Sequence, residues 1–508
     1  MAIIDREEVD LGASRSSRSL SSSSLLNSGS SGSSRRGSHR GSKERKRDEI
    51  EKGQDVLLFK APDEEIDHED SATVPLLSMS RSSQLEEEER DLLESEGPNK
   101  LVTGSLLEAV TNMANSIIGA GIIGLPYALS QAGFLTGIVL LIALAFISDW
   151  TIRLVIVTSK LSGRDSYTET MHHCFGPIGA MAVAFFQFSF AFGGTAAFHV
   201  IIGDTIPRVV SSIFPSLSSH HVFGWLFSRQ AIIVMCTLFI SFPLSLHRDI
   251  VKLSRSSSFA LISMTIIVIS VLFRSVAVDP SLRGSPMDSL IVIKPRVFQA
   301  IGVISFAYAC HHNSNYIYKS INVPTLDRFY FVTHISTSIS LIACLLVAVS
   351  GYVVFTDKTE GNILNNFSSD DWIINIARFC FGANMSTTIP LEVFVCREVV
   401  EEYFYKSQPF SQRRHFLITS AVVFSTMSIA LTTCDLGVVL ELAGGLSASA
   451  LAFILPASAY FVLLSGPWSS SRRLSALCVA LFGVIVLVLS CGLDLIKAWN
   501  GGGSTKQC

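Results

Sequence analysis

The run Asn115-Ser116-Ile117-Ile118-Gly119-Ala120-Gly121-Ile122-Ile123-Gly124-Leu125-Pro126 interrupts an apolar stretch otherwise long enough to cross a bilayer. Hydrocarbon supplies no water to loose amides and carbonyls, so a broken helix persists at membrane depth only inside protein or beside a cavity. Small residues four apart also suit a packing seam between helices. Three glycines followed by Pro126 exceed what a seam needs. Breaks of this kind mark ligand sites, with half-helix ends facing the ligand.

Working outward, the 508 residues are 49% hydrophobic and only 16% charged, with a mean hydropathy of +0.45. Those values indicate a polytopic membrane protein and argue against a soluble globular domain. Residues 1–100 hold 15 of the 39 Lys and Arg and 22 of the 42 Asp and Glu. This first segment, with serine tracts at 21–24 and 28–34, a basic run at 43–47 and an acidic run at 86–89, reads as a disordered cytoplasmic tail. It cannot bury enough apolar surface to offset chain entropy.

Within the tail, Glu88-Glu89-Arg90-Asp91-Leu92-Leu93 has the acidic dileucine pattern that adaptor complexes read for sorting to lysosomes or vacuoles. A chance Leu-Leu pair in a charged tail is the other reading. No N-terminal signal peptide is legible, so the first apolar span is expected to direct insertion. The ten cysteines show no CxxC or Cys/His metal spacing, and most lie in apolar segments as small hydrophobes. No cofactor, resident metal or nucleic-acid partner is expected; the surrounding partner is the lipid membrane.

From residue 104 eleven spans follow, each near the ~20 residues a bilayer requires. They fall at 104–130, 133–158, 177–203, 229–247, 257–278, 297–319, 327–355, 371–395, 414–433, 436–464 and 474–495. With the N-terminus cytoplasmic, thirteen Lys and Arg fall in inside loops and eight in the longer outside segments. That bias predicts N-terminus in and a short non-cytoplasmic tail at 496–508. Asn366-Phe367-Ser368 then lies on the non-cytoplasmic side as a glycan acceptor.

Five spans after the first break comes a second, Ser305-Phe306-Ala307-Tyr308-Ala309-Cys310-His311-His312-Asn313. Polar and imidazole groups in mid-membrane are costly unless they line a cavity or a polar contact. Interruptions in spans one and six predict an all-α, LeuT-like 5+5 inverted repeat, with span eleven as an extra helix. Unwinding near Gly119, Ala120 and Gly121 frees amides for a carboxylate at the positive end of a half-helix. Freed carbonyls around Ala307, Tyr308 and Ala309 suit an ammonium group. A ligand carrying both charges, an α-amino acid, matches the pair.

These residues resemble the amino acid/auxin permease family, and within it the fungal vacuolar amino acid transporters and the related sodium-coupled neutral amino acid transporters. The first-span run matches that family's signature, as does the sixth-span run with its double His and Asn. Thr388-Ile389-Pro390-Leu391-Glu392-Val393-Phe394-Val395-Cys396-Arg397 matches span eight, and Gly444-Gly445-Leu446-Ser447 through Pro456 matches span ten. The resemblance covers residues 104 to about 495. It implies secondary active transport of amino acids across a vacuolar or lysosomal membrane, with the plasma membrane the less favoured location. It also implies a cation site between spans one and eight, made by Asn115 and Thr388 with Thr387 and carbonyls near Ile118. Hard oxygen ligands suit Na⁺, whereas in vacuolar relatives the resemblance points to H⁺.

Other ionisable groups read two ways. Glu392 and Glu441 are acids at membrane depth, each a proton carrier or a structural partner to a neighbouring helix, with Glu441 beside an expected Gly444–Gly445 break. His311 suits a pH-dependent role or a neutral hydrogen bond. His334 reads as a lone histidine, Arg378 as a snorkelling or acid-paired side chain, and Asp149 with Arg153 as an intrahelical pair. Tyr127 and Tyr308 shape a pocket or simply pack, and the phenylalanines of span three read as core or lipid-facing. The leading function is an amino acid transporter working by alternating access. The alternative is an amino acid sensor signalling through its tail. An enzyme is not expected, since HExxH, GxSxG and paired intramembrane aspartates do not occur.

Overall fold

Helical segments stand at each of the eleven expected positions in the computed structural model of the chain, which describes residues 106–218, 224–247, 257–285, 293–465 and 467–499. The serine-rich tail with Glu88, Leu92 and Leu93 lies outside them. The elements are α1 (Leu106–Ile117), α2 (Leu125–Ala132), α3 (Phe134–Ser162), α4 (Tyr167–Ile213), α5 (Arg229–Ser245), α6 (Ser257–Val276) and α7 (Val297–Tyr308), followed by α8 (Ser314–Ser320), α9 (Leu326–Phe355), α10 (Trp372–Phe404), α11 (Gln412–Thr432), α12 (Leu436–Leu463) and α13 (Ser471–Trp499). Among the described residues eight segments are long and apolar enough to cross a bilayer, taking α1 and α2 with their link as one; α5 and α6 are shorter apolar helices. Span six is the remaining case, split into α7 and α8. The protein is an all-α polytopic membrane protein.

Local chemistry sets the ends. Ser166 accepts from the Glu169 amide at the start of α4, Asp371 from the Ile373 and Ile374 amides at α10, and Asp435 from the Gly437 amide at α12. Each side chain satisfies amides that have no intrahelical partner. Gly163 closes α3 in the left-handed conformation at φ 63°. Span three starts ten residues earlier than expected, because α4 turns at Gly176 (φ 64°), ahead of Pro177, and continues as helix. Glycine alone adopts such a φ without strain.

The expected break at Gly444–Gly445 is absent. α12 stays helical and widens instead into π turns over Ala443–Ala448 and Ala450–Ile454. The glycines serve close approach: a Cβ on Gly302 of α7 would stand 2.9 Å from the Glu441 carbonyl and 3.1 Å from the Gly445 amide.

α1, α2, α3, α7 and α9 pack on one another, as do α4, α10 and α11. α7 and the π-helical part of α12 face each other across the middle of the molecule. The hydrophobic core runs through this centre, with Met113, Ile123, Leu125, Val303, Ile304 and Phe453 fully buried. Eight cysteines are free, and Cys434, ahead of α12, is disulfide-bonded.

Candidate functional site

Both expected breaks are present. α1 ends at Ile117; the Gly119 amide bonds back only to the Ile117 carbonyl (2.8 Å), and the chain re-enters as a tight 3-10 turn over Ala120–Gly124 before α2. Ile122 donates to the Gly119 carbonyl at 3.3 Å. The amides of Ala120 and Gly121 head this turn, where no preceding helical carbonyl reaches them. α7 ends at Tyr308, Ala309 is extended (φ −78°, ψ 101°), and a short 3-10 turn over His311–Asn313 leads into α8. The last carbonyls of α7, including Ala307 and Tyr308, likewise lack continuing helical donors.

The two breaks lie against each other. A Cβ built on Gly121 would stand 2.6 Å from the Ala307 Cα and 2.7 Å from its Cβ, so only glycine permits this approach. Asn313 donates through Nδ2 to the Ser116 hydroxyl at 2.9 Å, joining the interruptions by a side-chain bond. Gly119 behaves differently: the nearest atom to an added Cβ is the Ser116 carbonyl oxygen at 3.9 Å, so its open side faces free space.

Buried polar atoms gather at the second break. Thr151 of α3 donates its hydroxyl hydrogen to the Ile147 carbonyl (2.9 Å), which leaves it to accept from Nε2–H of His311 at 2.9 Å. That hydrogen-bond pattern assigns the neutral tautomer with Nδ1 as a bare acceptor. Among the described residues, His311 Nδ1, His312 Nδ1 and Ser305 Oγ are buried without a protein partner. Buried polar atoms are nearly always satisfied, so three together mark a place built for a polar guest. Tyr308 is 1% exposed with its hydroxyl beside the Cys344 thiol. The ring of Phe190 of α4 lies tilted at 5.1 Å from that of Phe306 and 5.2 Å from that of His312, which places one span-three phenylalanine against the site.

The residues expected to hold a cation are less closely joined. Thr387 and Thr388 each donate to the Asn384 carbonyl of their own helix, at 2.9 and 2.8 Å. Among the described residues neither bonds Asn115, so the oxygens remain on separate elements. Glu392 is partly buried on α10, and its Oε2 has no hydrogen-bond partner among the described residues. Glu441 is 1% exposed and accepts a hydrogen bond from the Tyr127 hydroxyl at 3.0 Å. Tyr127 thus ties α2 to α12.

Two expectations are corrected. Arg378 neither snorkels nor pairs with an acid. It is fully buried and donates to Asn375 Oδ1 (2.6 Å) and the carbonyls of Leu364 (2.7 Å), Phe367 (2.9 Å) and Ser368 (3.1 Å). It therefore fixes the loop between α9 and α10. His334 is not isolated: its Nδ1 lies 2.9 Å from Asp149, which also holds Arg153 at 2.8 Å as expected. Asn366, the expected glycan acceptor, donates to the Lys358 carbonyl at 2.8 Å and accepts from the Glu360 amide at 3.0 Å.

Two adjoining broken helices with bared main-chain groups, set among continuous ones, define a membrane carrier with a central site. The chain belongs to the family described as transmembrane amino acid transporter protein, whose model matches residues 102–493. It is 43% identical over 407 residues to vacuolar amino acid transporter 2 of Saccharomyces cerevisiae, covering 78% of this chain and 84% of that relative. A zebrafish (Danio rerio) relative bearing the name "Putative sodium-coupled neutral amino acid transporter 11" is 38% identical over 405 residues, covering 80% and 89%. The human (Homo sapiens) protein of the same name is 33% identical over 360 residues, covering 71% and 87%.

The pairs that sequence reasoning missed, Ser116 with Asn313 and Tyr127 with Glu441, are separated by 197 and 314 positions. The only signal available was that all four are polar groups within or beside the two motifs and the tenth span.

Proposed function

We propose that the chain carries α-amino acids, neutral ones foremost, across the vacuolar membrane by alternating access. The carboxylate rests on the amides of Ala120 and Gly121 at a helix start, and the ammonium on the carbonyls of Ala307, Tyr308 and Ala309 at a helix end. The observation that carries the reading is the direct apposition of Gly121 on Ala307, which sets an amide-rich and a carbonyl-rich end side by side. The family supports amino acid as the cargo, and the yeast relative supports the vacuole. A unit of α1, α2, α3, α7, α8 and α9 moves against one of α4, α5, α10 and α11. Tyr316 of α8 donates to Glu398 of α10 at 3.0 Å, a contact that such motion must break.

Coupling is assigned to H⁺ or Na⁺ through Asn115, Ile118, Thr387, Thr388, His311, Glu392 and Glu441. The N-terminus is placed in the cytoplasm, with Glu88, Leu92 and Leu93 as the adaptor signal and Asn366 as the glycan site. Flux of labelled amino acids into proteoliposomes, with pH and Na⁺ gradients imposed separately, tests the function. Gradient-driven accumulation is expected; binding without flux would leave a sensor and overturn the carrier.

A further inference from the structure

At the end of the molecule assigned to the non-cytoplasmic side lies an open cavity of about 310 Å³. Among the described residues its wall carries four acids, Asp204, Asp357, Glu360 and Asp435, and one cation, Lys358. Asp204 is held by the side-chain amides of Asn362 (3.3 Å) and Asn365 (3.2 Å) and faces Arg229 at 3.6 Å. The same cavity is bordered by Tyr127, which is 8% exposed and donates to the buried Glu441. Tyr127 therefore touches the cavity and a carboxyl sealed behind it.

We propose that Tyr127 is the relay by which Glu441 is loaded with a proton from the non-cytoplasmic cavity. Acids concentrated in a recess raise the local concentration of cations, protons included. A hydronium in the cavity gives its proton to the Tyr127 oxygen as the Tyr127 hydroxyl hydrogen passes to Glu441. One O–H bond breaks on hydronium and one on tyrosine, and one forms at each of Tyr127 and Glu441. Water, neutral tyrosine and a carboxylic acid remain.

Among the described residues, the charged and titratable groups on the elements around the Tyr127–Glu441 pair include Asp435 at the head of α12 and Arg296 just before α7, both acting on Tyr127, together with Asp494 on α13 (bound by Gln299 of α7 at 3.0 Å) and Asp204 in the cavity wall. His199 on α4 is engaged with the Thr195 carbonyl of its own helix at 2.9 Å. The consequence reaches the central site through one contact. Gly302 of α7 lies on the Glu441 carbonyl, and α7 ends six residues later at the second break. Neutralising Glu441 thus acts on the helix whose carbonyls take the ammonium.

This inference rests on the carrier reading and is tested apart from it. Full-length protein in proteoliposomes, with the membrane potential clamped at zero, is given a gradient of one pH unit. A one-proton carrier then accumulates amino acid about tenfold. Exchange of labelled for unlabelled amino acid without a gradient is measured beside it, for wild type, Glu441→Gln and Tyr127→Phe. Both variants keep their shape: Gln still accepts the tyrosine hydrogen bond, and Phe keeps the ring that lies against Gly437. The expected result is tenfold accumulation in wild type, a ratio near one in Glu441→Gln, and a slowed approach to the same plateau in Tyr127→Phe. Accumulation by Glu441→Gln equal to wild type overturns the route, as does an unslowed Tyr127→Phe. Wild-type accumulation that follows sodium and not pH also overturns it, while absence of exchange in wild type removes the carrier reading itself.

Discussion

Alanine at the two glycines of the first break is expected to move stability in opposite directions while impairing transport at both. At Gly121 the new methyl would sit 2.6 Å from the Ala307 Cα. Carbon contacts settle near 3.5–4.0 Å, so the turn at Gly121 and α7 must part by about 1 Å. Overpacking of that kind costs about 1–3 kcal/mol, and a shift of about 1 Å at a working site lowers rates by about a hundredfold. At Gly119 the backbone (φ −92°, ψ −153°) suits alanine, and the nearest atom to the methyl is 3.9 Å away. There the substitution restricts the unfolded chain and stabilises by about 0.4–1 kcal/mol. The methyl nevertheless fills space assigned to the substrate carboxylate. Thermal unfolding of purified protein and initial rates of labelled amino acid uptake would be measured together. Gly121→Ala should melt below wild type and Gly119→Ala at or above it, with uptake reduced in both. A Gly119→Ala variant with unchanged KM and rate would refute the placement of the substrate. A Gly121→Ala variant as stable as wild type would refute the apposition of the breaks.

Ser116→Ala and Asn313→Ala should show non-additive effects on melting, with a coupling of about 1 kcal/mol for a neutral hydrogen bond; strict additivity would mean the two side chains act separately. Arg378→Met leaves the Leu364, Phe367 and Ser368 carbonyls without their donor and should cost at least about 3 kcal/mol. Lysine should not rescue it, because one ammonium cannot reproduce the planar fork; chemical unfolding of the three proteins decides. Asp357 accepts from the Ser285 amide at 2.7 Å and from the Thr356 hydroxyl at 2.9 Å, and the amide bond holds its carboxyl below the usual range. Its contribution is present above the unfolded value near 3.9 and fades only as pH falls through the lower folded value. Protection of the Ser285 amide in hydrogen exchange, corrected for intrinsic rate, should therefore be the same at about pH 7 and about pH 5. Loss of protection already at the higher of those acidities would contradict the assignment.

The two breaks were legible because glycine, proline and polar residues cluster there beyond what a packing seam between helices needs. Gly444 and Gly445 carried the same surface signal and meant something else. There the missing side chains admit the α7 backbone, and the helix widens rather than parting. Arg378 could be recognised as an odd charge in an apolar span, but not as the fastener of a loop ten to fourteen residues before it, since only the fold turns those carbonyls inward. Pairs such as Tyr127 with Glu441 depend on how α2 meets α12, and no spacing along the chain encodes that. His334 was misjudged for the same reason: its acid lies on another helix, at Asp149.

The most direct measurement is an experimental structure of the chain holding a transported amino acid. The carboxylate is expected within about 3 Å of the Ala120 and Gly121 amides, and the ammonium at the same distance from carbonyls of Ala307 to Ala309. An amino acid bound elsewhere, or bound with both ends on side chains away from these turns, would contradict the account.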